Sequence, residues 1–231
     1  MSKNITYKKR VRLLDFQACS VRIDSLIEQG NLDDAFTALD ELNIGPNTLN
    51  PKCRNYVWWI IESLRSKSTS NDHKTKSNYL RFLELFLSRG VEINHQDRYN
   101  ITALSWAVYH FQPEACRMLL VNGAIPDIPD YSGRTPLDYA IFGFYSTSYR
   151  NSENIMSTIM KDLLLHGANP NRTYPSAHDV KVPWWLFING DSGNTYLSPM
   201  HLLQTQAVRR GYESHIEDEP RLKIVLTTIP Q

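Results

Sequence analysis

The most informative segment of the chain is residues 97–129, which read DRYNITALSWAVYHFQPEACRMLLVNGAIPDIP. The same pattern restarts at Asp130 as DYSGRTPLDYAIF, so the period is 33 residues (130 − 97). In both copies an Asp opens a turn, a Thr follows, and Leu and Ala then recur three residues apart. A second apolar run in each copy ends in Leu-Leu-x-x-Gly-Ala. A repeat of this length predicts an array of similar supersecondary units.

The residues at the ends of these runs predict where helices begin and end. Thr102 and Thr135 precede apolar patterns, and each is predicted to accept hydrogen bonds from the first N–H groups of a helix. Pro136 fits the first helical position, where a missing N–H costs nothing. Gly123 and Gly167 follow the second apolar runs, where a left-handed residue commonly ends a helix. Each repeat therefore reads as a turn followed by two short helices.

At these residues the sequence resembles the ankyrin repeat family, whose signature is T-P-L-H-x-A. Residues 135–140, TPLDYA, match it except that Asp138 stands where the family has His. Residues 102–107, TALSWA, lack both the Pro and the His. The resemblance implies an all-α fold, a solenoid of about five helix pairs with short turn tips and two insertions. Such an array buries its apolar faces only by stacking neighbouring repeats.

Breaks in the pattern predict the domain organisation. Residues 66–77, SKSTSNDHKTKS, carry no aliphatic or aromatic side chain and are predicted to form a mobile loop. The first repeat is expected to begin its helical pattern at Val21, and insertions are predicted at 143–154 and 172–196. The predicted parts are a basic N-terminal arm at 1–16, repeats near 17–49, 50–96, 97–129, 130–170 and 171–205, and an acidic C-terminal tail at 206–231 with a last helix.

Composition excludes several classes of protein. The chain has 231 residues and a formal net charge of +1, so no overall field favours nucleic acid. Three distant cysteines, Cys19, Cys53 and Cys116, indicate reduced thiols in the cytoplasm. No apolar run is long enough to span a membrane or to form a signal peptide. These features predict a cytoplasmic monomer, and the resemblance to ankyrin repeats implies that its partner is another protein.

Motifs for catalysis and cofactors are weak. Residues 190–193, GDSG, resemble the segment around the nucleophile of chymotrypsin-like proteases, but Asn194 replaces a Gly and the chain reads as helical. The seven His show no metal-ligand spacing, and no phosphate-binding loop occurs, so no metal and no cofactor are expected. A hydrolase or transferase remains an alternative, with its site on the insertions. Its reactive groups would be Cys53, Ser192, His178 and Asp179.

The resemblance also implies where a partner would bind, because ankyrin arrays bind other proteins on the concave face formed by tips and first helices. Tyrosine and arginine anchor protein interfaces more often than other residues. The predicted contact residues are Arg98, Tyr99, Tyr109, His110, Tyr131, Arg134 and Phe142. Alternatively, these aromatic side chains pack against neighbouring tips or against the two insertions. A second apolar group, Trp184, Trp185 and Phe187, is expected to cap the array or to form a further patch. The predicted function is non-catalytic protein–protein interaction.

The C-terminal tail carries the acidic residues Glu213, Glu217, Asp218 and Glu219. This cluster resembles the glutamate-rich signals of bacterial type IV secretion effectors, many of which contain ankyrin arrays. The resemblance implies virulence-related secretion into a host cell. The alternative is a solvent-exposed helix N-terminus, where the helix dipole stabilises acidic side chains.

Overall fold

Eight α-helices form the part of the chain that the computed structural model describes, which is residues 13–67, 73–144 and 152–172. No β-strand occurs within these residues, so the predicted all-α class is confirmed. The helices form four of the five predicted pairs. Their bounds are α1 Leu13–Gln29, α2 Leu32–Glu41, α3 Tyr56–Lys67, α4 His73–Leu87, α5 Ala103–Tyr109, α6 Pro113–Val121, α7 Pro136–Phe144 and α8 Ser152–Leu165.

The chain divides into an N-terminal unit, residues 1–98, and a C-terminal unit, residues 99–231. In the N-terminal unit α1 packs against α2 and α4, and α3 packs against α4. In the C-terminal unit the two first helices, α5 and α7, pack side by side, as do the two second helices, α6 and α8. Within each unit the two described repeats therefore bury their apolar faces against each other, as in a helical-repeat solenoid.

The core of the C-terminal unit consists of the residues that recur in the sequence. The signature alanines Ala107 and Ala140 are fully buried, and Leu104 and Leu137 are buried beside them. The second helices contribute the same positions from each repeat, namely Leu119 and Leu120 on α6 and Leu163 and Leu164 on α8. Small alanines let first helices approach closely while leucines fill the space between layers. The spacing predicted from the sequence is confirmed here.

Aromatic side chains fill the core of the N-terminal unit. Phe36 on α2 stacks on Phe82 of α4, with ring centroids 4.5 Å apart. Tyr56 on α3 meets Phe86 of α4 at 5.6 Å. Tyr56, Phe82 and Phe86 are fully buried, and Trp58 on α3 is also buried. Large rings compensate here for the divergence of these two repeats from the signature, because each ring buries more area than a leucine.

A left-handed residue ends the second helix of each described repeat. Gly123 and Gly167 both have a φ of 91°, as predicted. Ala124 N–H donates back to the carbonyl of Leu119 at 3.0 Å, which is the Schellman arrangement. In the first repeat the same place is taken by Asn43, with a φ of 54°. Asparagine tolerates this conformation better than other side chains, so the first repeat keeps the turn without glycine.

Two predicted boundaries differ from the structure. Helix α1 begins at Leu13, not at Val21, so the last residues of the predicted arm are helical. Helix α3 ends at Lys67 and helix α4 begins at His73, so the predicted mobile loop at 66–77 is wrong for residues 66–67 and 73–77. Residues 73–77 are the solvated first turns of an amphipathic helix, in which Thr75 is buried and leads to the buried Tyr79. A helix needs only one apolar side, which a short polar run conceals.

Several predictions fall outside the described residues. These are most of the N-terminal arm, the centre of the 143–154 insertion, and everything after Arg172. The last group comprises most of the 171–205 repeat, the 206–231 tail with its acidic cluster, Trp184, Trp185, Phe187, His178, Asp179 and Ser192. Among the helices that the structure describes, none is both long and apolar enough to cross a membrane.

Candidate protein-binding site

The tips are built on one recurring turn, which an acidic or amide side chain organises. Asp130 Oδ1 accepts hydrogen bonds from the N–H groups of Ser132 at 2.7 Å and Arg134 at 3.0 Å. Asn50 does the same for the N–H groups two and four residues further on, at 2.9 and 3.1 Å. The prediction that Asp130 opens a tight turn is therefore confirmed, and the side chain fixes where the tip points.

Three residues after each turn opener the backbone is left-handed. Cys53, Asn100 and Gly133 hold this place with φ values of 60°, 57° and 78°. Cys53 is the unusual member, because a cysteine gains nothing from this conformation. Its carbonyl oxygen lies 2.7 Å from His95 Nε2, so this ring nitrogen donates to it. Cys53 thus belongs to a turn.

Asp130 also joins the tip to the first helix that follows it. Its side chain is fully buried, and Oδ2 accepts hydrogen bonds from Arg134 Nε at 3.0 Å and from the Tyr139 hydroxyl at 2.6 Å. The Arg134 guanidinium carbon lies 4.9 Å from the centroid of the Tyr139 ring. Burial, followed by the nearby Asp130 carboxylate, raises the pKa of Tyr139 well above its usual value. Arg134 and Tyr139 are therefore held rigidly at the surface.

Helices α5 and α7 present an open pocket of about 280 Å³ beside this network. Its walls are mainly aromatic. Trp106 and Tyr109 stack with their centroids 5.8 Å apart, and Tyr139 meets Tyr109 edge-on at 6.0 Å. The lining residues are Ile101, Ser105, Trp106, Tyr109, Arg134 and Tyr139. This arrangement can hold one apolar side chain.

Two exposed tyrosines stand at the tips of the same unit. Tyr99 and Tyr131 lie with their ring centroids 6.2 Å apart, and the Tyr131 N–H donates to the Tyr99 carbonyl at 3.1 Å. The two rings therefore contact each other across neighbouring tips and are still 42% and 66% exposed. They precede the pocket residues Ile101 and Arg134 by two and three positions in the chain.

The other predicted contact residues have different places. His110 caps α5 and is half-buried, with its ring edge-on to Trp106 at 4.4 Å. Phe142 is half-buried on α7 and does not line the pocket. Arg98 is exposed but is the last residue of the N-terminal unit. Of the seven predicted residues, the structure brings Tyr109 and Arg134 together in the pocket.

Sequence reasoning missed the two central pocket residues, Trp106 and Tyr139. Both occupy the variable position of the signature, immediately before the buried Ala107 and Ala140. A residue next to the buried alanine on a first helix turns its side chain toward solvent. Aromatic residues at that position in two successive repeats were the signal that could have identified the pocket.

The departure from the signature at Asp138 has a structural reason. The Asp138 carboxylate, which is 1% exposed, accepts hydrogen bonds from the Thr135 N–H at 2.7 Å and the Thr135 hydroxyl at 3.1 Å. Arg172 donates to the same carboxylate and, at 2.8 Å, to the carbonyl of Gly133. The acid therefore caps α7 and binds an arginine that comes after α8.

The predicted role of threonine as a helix cap is confirmed at Thr102. Thr102 Oγ1 accepts a hydrogen bond from the Ser105 N–H at 3.1 Å, as expected for an N-cap. The Thr135 hydroxyl donates a hydrogen bond to Asp138, because a carboxylate at the third helical residue is a strong acceptor.

The described residues hold no group of three or more His, Cys, Asp or Glu side chains that could bind a metal ion. Cys116 lies fully buried on α6, where burial, followed by the charge of Asp162, raises the pKa of its thiol. A buried neutral thiol of this kind packs as a small apolar group.

Alkaline pH should destabilise the fold through the phenols of the buried Tyr79 and the half-buried Tyr139. The Tyr79 hydroxyl donates a hydrogen bond to Asp24. Burial and then the Asp24 carboxylate raise the pKa of Tyr79, just as burial and then the Asp130 carboxylate raise the pKa of Tyr139. A raised folded pKa means that the unfolded chain loses its proton first. The stability is therefore complete below about pH 10 and falls above it, by up to about 1.4 kcal/mol per pH unit for each tyrosine.

Urea unfolding at several pH values between neutral and strongly alkaline measures this slope. Tyr139→Phe and Tyr79→Phe should each reduce it, whereas the exposed Tyr131→Phe should leave it unchanged. If all three variants kept the slope of the unchanged chain, the assignment of this slope to Tyr79 and Tyr139 would be contradicted.

Comparisons with known proteins agree with the helical-repeat fold. Residues 73–174 match the family model for ankyrin repeats, in three copies. The chain is 44% identical over 55 residues to an ankyrin repeat domain-containing protein, SAT10, of Stachybotrys chartarum, and 30% identical over 86 residues to mouse inversin. These alignments cover 24% and 37% of this chain but only 3% and 8% of those proteins.

A solved structure has a similar fold. The crystal structure of an ankyrin repeat domain from Acinetobacter baumannii superposes with a TM-score of 0.53 and 19% sequence identity. The match covers 87% of this chain and 78% of that one. The repeated signature, the four helix pairs and the match at residues 73–174 lead to one conclusion: this part of the chain consists of ankyrin repeats.

Proposed function

We propose that this chain is a non-catalytic interaction module that binds a partner protein through the tips and first helices of its C-terminal unit. Ankyrin repeats in general indicate protein–protein interaction. The contact surface proposed for this chain comprises Tyr99, Tyr131, Tyr109, Arg134 and Trp106. The observation that carries the proposal is a set of large aromatic side chains that remain accessible beside a well-packed core.

The proposal is supported by the rigidity of this surface. Tyr139 and Arg134 are fixed by the buried Asp130, and Tyr131 is hydrogen-bonded to Tyr99. A surface that is ordered before binding loses less conformational freedom in the complex. Tyrosine and tryptophan combine a large apolar area with a polar group at the edge, which suits a surface that is hydrated when no partner is bound.

Affinity capture tests the proposal. The intact chain would be immobilised and exposed to lysates of its source organism and of a host cell. The Tyr99→Ala/Tyr131→Ala double variant should lose the specific partner, because truncating an interface anchor costs about 2 kcal/mol, or about 30-fold in Kd. Val121→Ala is the matched control, since Val121 is 70% exposed on the second helix α6. Equal capture by both variants would show that the tips are not the contact surface.

Delivery into a host cell as a secreted effector is a separate proposal. It rests on the acidic cluster at 213–219, which lies outside the described residues. Capture from the host lysate alone, with none from the source organism, is the outcome that would support it.

A further inference from the structure

In the ion pairs near the aromatic pocket, the arginine is more exposed than the acid. Within residues 99–112 and 129–144 the charged side chains are Asp130, Arg134 and Asp138. Both acids are buried, and each binds an arginine whose side chain reaches the surface, Arg134 at 22% exposure and Arg172 at 15%. The described part of the tip side therefore exposes more of its positive than of its negative groups, although these four groups sum to zero.

The same arrangement decides which side chain the pocket can accept. An aromatic pocket can bind an ammonium group over its ring faces. Here the Arg134 guanidinium already covers one face of Tyr139 at 4.9 Å. A lysine or methylated lysine side chain entering the pocket would meet this cation at short range. The walls formed by Ile101, Trp106 and Tyr109 instead match an uncharged apolar side chain.

We propose that this pocket binds a leucine, isoleucine or aromatic side chain of an acidic peptide segment in the partner. An Asp or Glu close to this anchor in the partner's chain would lie over Arg134. The inference rests on the proposed function and specifies the partner's chemistry. A volume of about 280 Å³ accommodates one side chain and not a folded element, so the ligand is a short segment. Complementary charge steers its approach, and apolar burial in the pocket retains it.

Selection from a random dodecapeptide library displayed on phage, with the full chain immobilised, tests the proposal directly, since the library covers both acidic and basic sequences. The expected consensus has one large apolar residue with Asp or Glu within about three positions, and few basic residues. The selected peptide would then be synthesised and titrated by calorimetry. Replacing its acid by the matching amide should weaken binding several-fold, and replacing its apolar anchor by Lys or trimethyl-lysine should abolish binding. Added salt should weaken the acidic peptide more than its amide analogue.

In the protein, Tyr109→Ala should weaken peptide binding by about 10- to 30-fold in Kd. Tyr109 is 54% exposed, so its truncation should leave the circular dichroism spectrum unchanged. Val121→Ala is the control and should bind the peptide as the unchanged chain does.

Several results would overturn the inference. They are a basic or trimethyl-lysine-tolerant consensus, the absence of any consensus, and equal binding by Tyr109→Ala. Sedimentation that shows a dimer dissociated by Tyr109→Ala would assign the pocket to a second copy and would also overturn it. A partner that is captured through Tyr99 and Tyr131 but is insensitive to Tyr109→Ala would refute this inference and leave the proposed function intact. Failure to capture any partner refutes the proposed function instead.

Discussion

Replacing Asp130 by Ala is expected to lower the free energy of unfolding by about 4 kcal/mol, the largest effect expected of any single change near the tips. The carboxylate is fully buried and accepts two backbone and two side-chain hydrogen bonds. Its removal leaves the Arg134 charge and the Tyr139 hydroxyl without their acceptor. Breaking a buried ion pair by deleting one partner typically costs about 3–5 kcal/mol.

Asp130→Asn separates the turn from the ion pair. Asn50 shows that an amide oxygen suffices to hold the same turn in another repeat. Asn at position 130 should therefore keep the two backbone hydrogen bonds and lose the charge pairing with Arg134. The expected loss is about half that of Asp130→Ala, or about 2 kcal/mol.

Urea unfolding followed by circular dichroism measures both variants. Asp33→Ala is the control, because Asp33 is an exposed acid in the first turn of α2, and it should cost less than about 1 kcal/mol. If Asp130→Ala fell within about 1 kcal/mol of the unchanged chain, the buried network would not be stabilising the tip.

The second large effect is expected at Asp138 and Arg172. Asp138→Ala removes both the cap of α7 and the acceptor of Arg172, and it should cost about 3–4 kcal/mol. Arg172→Ala leaves a carboxylate that is 1% exposed without its arginine, and about 3 kcal/mol is expected. The double variant should cost less than the sum of the two single variants, because the ion pair is counted in each.

Asp138→His is the sharper experiment, since it restores the residue that the family signature has at this position. It should nevertheless destabilise the chain by about 1–3 kcal/mol, because the imidazole cannot neutralise Arg172. The loss should shrink when Arg172→Ala is combined with it. A stabilising effect of Asp138→His in the presence of Arg172 would contradict the explanation given for the departure from the signature. Thermal and urea unfolding of the four proteins provide the cycle.

The elements that the sequence predicts well depend on local patterns. The period, the buried alanines and the left-handed Gly123 and Gly167 follow from which residues can occupy a turn or the face of a short helix. Thr102 as a cap is equally local. These features do not depend on distant contacts, so a single repeat already contains the information.

The features that escaped prediction depend on distant contacts. Arg172 reaches Asp138 across 34 residues, and nothing in either residue's neighbourhood indicates this pairing. The pocket needs Trp106 and Tyr139 from two repeats to face the same side, which only the stacking of α5 on α7 determines. The polar start of α4 resembles a loop in sequence because the burial of Thr75 and Tyr79 is a tertiary effect. Exposed contact residues were predicted by type, but their grouping required coordinates.

The hydrogen bond from the Tyr131 N–H to the Tyr99 carbonyl couples the positions of two neighbouring tips. Because this hydrogen bond joins the backbones of two tips, we expect a displacement of one tip to move the other. A ligand that immobilises the first ring finds the second already 6.2 Å away and sharing its motion. We therefore expect the two rings to bind a partner as one unit, so that removing either ring should weaken partner binding almost as much as removing both.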